Sequence, residues 1–162
     1  MGTSVAEIVQ ESGLSAGGIY GHFPGKDDII IAAATEILEG RVERIRSATD
    51  HTPVPPPHEV LPEVVSTLGE GPDPGMVIQV WAYAVTHEDA GEVARALFTE
   101  VSGTIEDYLL AWYTQEDEPD PQVSAAATAM AVTAYVQGSI IQIALLGRST
   151  EDLAEGLRRI LG

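Results

Sequence analysis

The chain has 162 residues, enough for one domain or one domain with a small appendage, and its 25 acidic and 8 basic side chains give a formal net charge of −17. This acidic excess disfavours non-specific attraction to nucleic acid or anionic lipid, so a DNA-binding function needs a local explanation. The complete absence of cysteine excludes disulfides, thiolate metal sites and cysteine nucleophiles.

The sequence pattern is helical almost throughout and predicts an all-α fold. The first ten residues lack the basic and apolar segments of a signal peptide, so we expect a cytoplasmic protein. Breaks rich in proline and glycine separate the helices, and no segment alternates apolar and polar residues as a half-buried strand does. The helices are predicted at 4–12, 16–23, 26–48, 57–68, 74–87, 89–115, 121–146 and 150–161.

The proline-rich residues 52–57 indicate a seam between two units. We expect a first domain over residues 1–48, with a connecting helix from about residue 26. A larger helical domain is expected over residues 49–162.

The first two predicted helices are short and are joined by a tight turn. Ser4 and Glu7 have the spacing of a capping box, which begins the first helix. Gly13 can adopt the left-handed conformation that ends a helix, and Ser15 is a suitable N-cap for the second one. Two short helices connected in this way form a helix-turn-helix.

The segment SVAEIVQESGLSAGGIYGHFPGKDDII, residues 4–30, resembles the helix-turn-helix of the TetR family of bacterial transcription regulators. The resemblance implies an all-helical homodimer that binds a palindromic DNA operator as a repressor and is released by a small, mostly apolar effector. It implies that residues 1–48 bind DNA and that residues 49–162 bind the effector and form the dimer. The positions in register with the family pattern are Ile8, Gly13, Ser15, Gly17, Ile19, Tyr20, His22, Phe23, Lys26, Asp27 and Asp28.

The resemblance also implies roles for individual residues. The N-terminus of the first helix would hold a DNA phosphate, because its free amides and its dipole favour anions. The second helix would approach base edges in the major groove, and the side chains after it would contact phosphates. The DNA-binding residues implied are Thr3, Ser4, Ser15, Ala16, Gly17, Gly18, Tyr20, His22 and Lys26.

The motif departs from the family pattern at Ala16, Gly18 and Gly21, where longer polar or basic residues are common. These residues have no long donor for bidentate base contacts. The family's basic first helix is not found before the motif, and residues 1–28 carry a charge of 1 − 4 = −3. Two explanations are open: the first helix is missing from the chain as printed, or the protein is a dimeric small-molecule-binding module that has lost DNA binding.

The predicted helical body carries a stripe of apolar residues. From Leu97 to Trp112 they recur at spacings of three and four, which predicts an inward-facing side of the helix at 89–115. In the family, a pocket between such helices binds the effector, and aromatic walls suit an apolar ligand, although core packing uses the same residues. The effector-binding residues expected are Gln79, Trp81, Tyr83, Phe98, Tyr108, Trp112, Met130 and Tyr135.

The segment from Pro121 to Gly147 contains no charged residue and is long enough to cross a bilayer. Polar residues interrupt it and no basic cluster flanks it, which favours burial by protein over membrane insertion. Asp120 is predicted as its N-cap. With the amphipathic helix that follows, it is expected to form a four-helix bundle with a second copy of the chain. The dimerisation residues expected are Gln137, Gly138, Ile141, Gln142, Leu145, Leu153 and Leu157.

The sequence offers no catalytic, metal-binding or cofactor-binding constellation. Its four histidines are scattered, and it has no H-E-x-x-H motif, phosphate loop or nucleophile elbow. The sequence therefore favours a regulator over an enzyme.

Overall fold

The computed structural model describes residues 42–70 and 73–162, and this part of the chain is all-α. The predicted fold class is therefore confirmed. A short 3-10 turn, Thr67–Gly69, follows the second helix. The helices are α1 over residues 42–49, α2 Pro57–Ser66, α3 Pro74–Thr86, α4 Glu88–Gln115, α5 Pro121–Leu146 and α6 Thr150–Leu161.

Helices α2 to α6 begin close to their predicted positions because local chemistry fixes their first turns. The predicted helices at 4–12 and 16–23, and the start of the one at 26–48, lie outside the described residues. Helices α2, α3 and α5 each have proline at the first helical position, where the missing N–H would have no partner in any case. Asp73 caps α3, and its Oδ1 accepts hydrogen bonds from the Gly75 amide at 2.8 Å and the Met76 amide at 3.2 Å. Ser149 caps α6 by accepting a hydrogen bond from the Asp152 amide at 3.1 Å. Each side chain satisfies donors that a bare helix end leaves free.

The predicted cap of α5 is correct in position but not in chemistry. Asp120 occupies the N-cap position, yet its side chain makes no cap hydrogen bond. The acidic loop before α5, residues 116–120, is instead tied to the helix by Ser124, whose hydroxyl donates to Glu118 Oε1 at 2.9 Å. At the other end, Gly147 ends the helix with a φ of 62°, a conformation that glycine adopts without strain.

One apolar core joins the helices. Helix α2 packs against α6, while α4 packs against α5 and both contact α3. The inward side of α4 is confirmed: Ile105 and Tyr108 are buried, and Leu97, Val101 and Trp112 are half-buried. The largest fully buried side chains are Tyr108, Ile45, Leu61, Leu109, Leu157, Val65, Pro62 and Ser139. Because Ile45 belongs to this core, α1 is anchored on the helical body.

Candidate functional site

The residues expected to contact DNA lie outside the described part of the chain. These nine positions are Thr3, Ser4, Ser15, Ala16, Gly17, Gly18, Tyr20, His22 and Lys26. Their roles therefore stay predictions from the sequence.

The residues expected to bind an effector lie on α3, α4 and α5, and the structure brings two of them into direct contact. The rings of Trp81 and Phe98 are tilted against each other with centroids 5.8 Å apart. Tyr83 stacks on His87 at 3.8 Å, at the end of α3. Trp81, Tyr83, Phe98 and Trp112 are half-buried, whereas Gln79 and Met130 are exposed.

Two of these tyrosines use their hydroxyls within the fold. The Tyr108 hydroxyl donates to the Pro55 carbonyl at 2.6 Å, and the Tyr135 hydroxyl donates to the Leu153 carbonyl at 2.7 Å. Burial raises the pKa of Tyr108 well above its usual range, and the negative charge of Glu59 adds to this shift. Burial also raises the pKa of Tyr135. The first bond holds the loop after α1 against α4, and the second holds α6 against α5. Each hydroxyl therefore has a structural role.

The loop after α1 is held on α4 by a second set of contacts. Gln115 accepts a hydrogen bond from the Val54 amide at 2.7 Å and donates one to the Val54 carbonyl at 3.2 Å. Together with the Tyr108 bond, this pair fixes the predicted seam on the C-terminal half of α4. No sequence pattern indicates these partners, because Val54 and Gln115 are 61 positions apart.

Sequence reasoning also missed a groove of about 250 Å³ between α1 and α2. Its floor is mostly apolar, and its rim carries both acidic and basic groups. The one sequence signal for it is the four-residue spacing of Glu59 and Glu63 on one side of α2. The lining residues are Arg44, Ser47, Ala48, His51, Pro55, Glu59, Val60, Glu63 and Val64.

The expected dimerisation residues fall into two groups. Gln137 and Gly138 are half-buried on α5, and Ile141, Gln142 and Leu145 are exposed on the same helix. Leu153 and Leu157 of α6 are instead 8% and 1% exposed, and they lie in the core of the protomer. The exposed apolar residue of α6 is Ile160.

Helix α5 is, within the described residues, the one helix long and apolar enough to cross a membrane. Its most apolar window is 22% buried within the protomer. Within residues 42–70 and 73–162, a large apolar surface on this helix thus has no partner.

The described residues hold no group of three or more histidine, aspartate or glutamate side chains arranged to bind a metal ion. Within this part of the chain, the ionic contacts are exposed, such as the pairing of Glu155 with Arg158 and Arg159. Hydrogen bonds from these arginines lower the pKa of Glu155.

Comparison with known families identifies the N-terminal segment. Residues 1–33 match the family model described as bacterial regulatory proteins, tetR family. Neither the curated proteins nor the solved structures give a match to this chain. The matched range contains the predicted helix-turn-helix, and the all-α body agrees with that family's architecture. The N-terminal segment, residues 1–33, is therefore similar to the DNA-binding segment of bacterial regulatory proteins of the tetR family.

Proposed function

We propose that this chain is a DNA-binding regulator of the TetR family, a cytoplasmic repressor that is released from a palindromic operator by a small, mostly apolar effector. The observation that carries this proposal is the match of residues 1–33, which coincides with the helix-turn-helix motif read from the sequence. In this proposal residues 1–48 bind DNA, and residues 49–162 bind the effector and form the dimer. The activity is that of a regulator and not of an enzyme.

The unpartnered apolar surface supports dimerisation through the last two helices. Leu145 and Met130 of α5 are 74% and 73% exposed, and Ile160 of α6 is also exposed. No charged residue interrupts α5, so a second copy can cover this face without burying an unpaired charge. Since Leu153 and Leu157 lie in the protomer core, the contribution of α6 in our proposal comes from Ile160. A twofold dimer presents two reading helices to the two halves of a palindrome.

The contact between Trp81 and Phe98 supports an effector site between α3 and α4. Helix α3 is apolar except for Gln79 and Thr86, yet none of its residues is fully buried among the described residues. An apolar effector that covers this surface would favour one arrangement of α3 and α4 over another. Such differential binding is what shifts a regulator between its DNA-bound and free states.

DNA binding is tested with labelled duplex from the region upstream of the protein's own gene. We expect binding that weakens as salt rises, because phosphate contacts release counterions. Lys26→Ala and Tyr20→Ala should weaken binding, whereas Arg148→Ala, an exposed basic residue between α5 and α6, should not.

The same assay addresses the alternative, a dimeric small-molecule-binding module without DNA affinity. The charge of −3 over residues 1–28 and the short side chains at the start of the second helix favour this alternative. It would be supported if neither this chain nor one extended in frame upstream of Met1 bound this DNA at low salt.

A further inference from the structure

We propose that the groove between α1 and α2 is a second small-molecule site, which binds an organic cation with an apolar body. The residues that line it do not include Trp81 or Phe98, the aromatic contact to which the effector is assigned above. Its regulatory consequence rests on the proposed function, but its existence does not.

The floor of the groove suits an apolar body. It is formed by Ala48 of α1, Pro55 of the following loop, and Val60 and Val64 of α2. The volume of about 250 Å³ lies just below the usual range of drug-sized pockets, about 300–1,000 Å³. A ligand with a single ring or a short branched chain therefore fits better than a larger one.

The acidic wall of the groove suits a cation. Glu59 and Glu63 lie one helical turn apart on α2, both are exposed, and neither makes an ion pair within residues 42–70 and 73–162. Like charges at this spacing repel each other, and a cation between the two carboxylates removes that repulsion. The net charge of −17 further raises the local concentration of small cations.

The opposite wall sets the orientation of the ligand. Arg44 of α1 also lines the groove and makes no ion pair among the described residues. Its guanidinium repels a cationic head, which places that head beside α2, and it donates hydrogen bonds to an acceptor at the other end of the ligand.

The groove is connected to the contacts that hold the seam. Pro55 lines the groove, and its carbonyl accepts the hydrogen bond from Tyr108 at 2.6 Å. Helix α1 is the described helix nearest in sequence to the matched residues 1–33. A ligand between α1 and α2 thus contacts the helix that leads to the DNA-binding segment, and it favours one angle between these two helices.

The site is tested by titrating the ¹⁵N-labelled chain with benzylammonium and following its amide resonances. Its neutral and anionic analogues, benzyl alcohol and benzoate, serve as matched probes. We expect saturable shifts clustered on α1, residues 52–56 and α2, with benzylammonium binding more tightly than either analogue. Raising the salt concentration should weaken its binding, since the carboxylates are exposed.

The variants E59Q and E63Q, combined in one chain, should weaken benzylammonium binding roughly tenfold, the loss expected for charge-assisted hydrogen bonds. Glu106→Gln, an exposed glutamate of α4 outside the groove, should leave binding unchanged. Because both groove positions are exposed, the double variant should keep the parent's helical circular dichroism.

The proposal fails if benzoate or benzyl alcohol binds as tightly, if the shifts cluster elsewhere, or if the double variant binds like the parent. No DNA is present in this experiment. Its failure is therefore distinguishable from a failure of the proposed regulatory function, which the upstream-DNA assay measures.

Discussion

Tyr108 shows how a single side chain can serve both the core and the seam. Its ring is completely buried, and its hydroxyl donates to the carbonyl of Pro55, 53 positions earlier in the chain. A buried tyrosine needs such a partner, because an unsatisfied hydroxyl in the core costs free energy. The residue therefore ties the loop after α1 to α4.

Tyr108→Phe removes this hydroxyl and leaves the Pro55 carbonyl without its partner. We expect the free energy of unfolding to fall by about 1–2 kcal/mol, measured by urea denaturation. Tyr113→Phe is the matched variant, since the Tyr113 hydroxyl lies 3.0 Å from the Thr128 hydroxyl at a half-buried position. It should cost less. Equal losses of unfolding free energy in the two variants would show that the bond to Pro55 stabilises the fold no more than the contact of Tyr113 with Thr128.

The same residue predicts how stability depends on alkaline pH. Burial, assisted by the charge of Glu59, raises the pKa of Tyr108 in the folded state above the value of about 10 found in unfolded chains. Between these two values the unfolded chain loses the proton and the folded chain keeps it. Stability is therefore complete below pH 10 and decreases as the pH rises above it.

We expect the free energy of unfolding, measured by urea denaturation from pH 8 to 11, to decline above pH 10. The decline should be less steep in Tyr108→Phe, which has no proton to lose at this position. If the parent and the variant had the same slope, the pKa of Tyr108 would not be raised in the folded protein.

At the scale of helices, the sequence predicts boundaries better than contacts. Proline at the first position of α2, α3 and α5 is a local signal, so these starts could be read directly. The partners of Tyr108 and Tyr135 could not be read, because they depend on how distant segments pack. The groove between α1 and α2 is likewise created by the packing of two helices and a loop. The inward side of α4 was predictable because it is a property of spacing alone.

The close approach of α5 and α6 depends on Gly156. A Cβ atom at this position would lie 2.6 Å from the Tyr135 hydroxyl oxygen, which donates to the Leu153 carbonyl. Alanine here would force the Tyr135 ring to move and to give up that hydrogen bond. Gly103 on α4 is a matched control, since a Cβ atom there meets nothing within 4 Å.

We expect Gly103→Ala to raise the free energy of unfolding by up to about 1 kcal/mol, the usual difference in helix propensity. Gly156→Ala should instead lower it, because the lost bond and the displaced ring outweigh that gain. In a Tyr135→Phe background the obstructing oxygen is gone, so Gly156→Ala should become neutral or stabilising. A destabilisation by Gly156→Ala that persisted in this background would contradict the assigned contact. Thermal and urea unfolding of the five chains provide the comparison.

At the scale of the whole molecule, two surface properties bear on function: the acidic net charge, which opposes DNA binding, and the exposed apolar residues of α5, which favour association with a second copy. A net charge of −17 opposes DNA binding by the body, so in the proposed function residues 1–33 supply the phosphate contacts. The sequence predicted the charge-free helix that becomes α5, but it could not show which of its residues the protomer covers. Leu153 and Leu157 were expected in the dimer interface, but they are buried in the protomer's own core. The proposed interface therefore uses the exposed Ile160 of α6.

The apolar face of α5 makes the oligomeric state testable with one charge. Leu145 is 74% exposed, and in the proposed dimer it is buried against the second copy. Leu145→Glu would place an unpaired carboxylate in this interface, at a cost of several kcal/mol for an uncompensated charge. We expect the parent to sediment as a dimer and the variant to dissociate at least roughly thirtyfold more readily, since about 2 kcal/mol corresponds to that factor. Val85→Glu, at an 86% exposed position of α3, should remain dimeric.

Analytical ultracentrifugation over a range of concentrations measures both variants and the parent. A parent that sediments as a monomer would remove the dimer from the proposed function. Dissociation by Val85→Glu as well as by Leu145→Glu would contradict an interface confined to α5 and α6, because α3 would then contribute to it. Dissociation by Leu145→Glu alone, with unchanged helical circular dichroism, would assign the uncovered surface of α5 to a second copy of the chain. That result would also explain why a helix apolar enough for a membrane is only 22% buried in its most apolar window within one protomer.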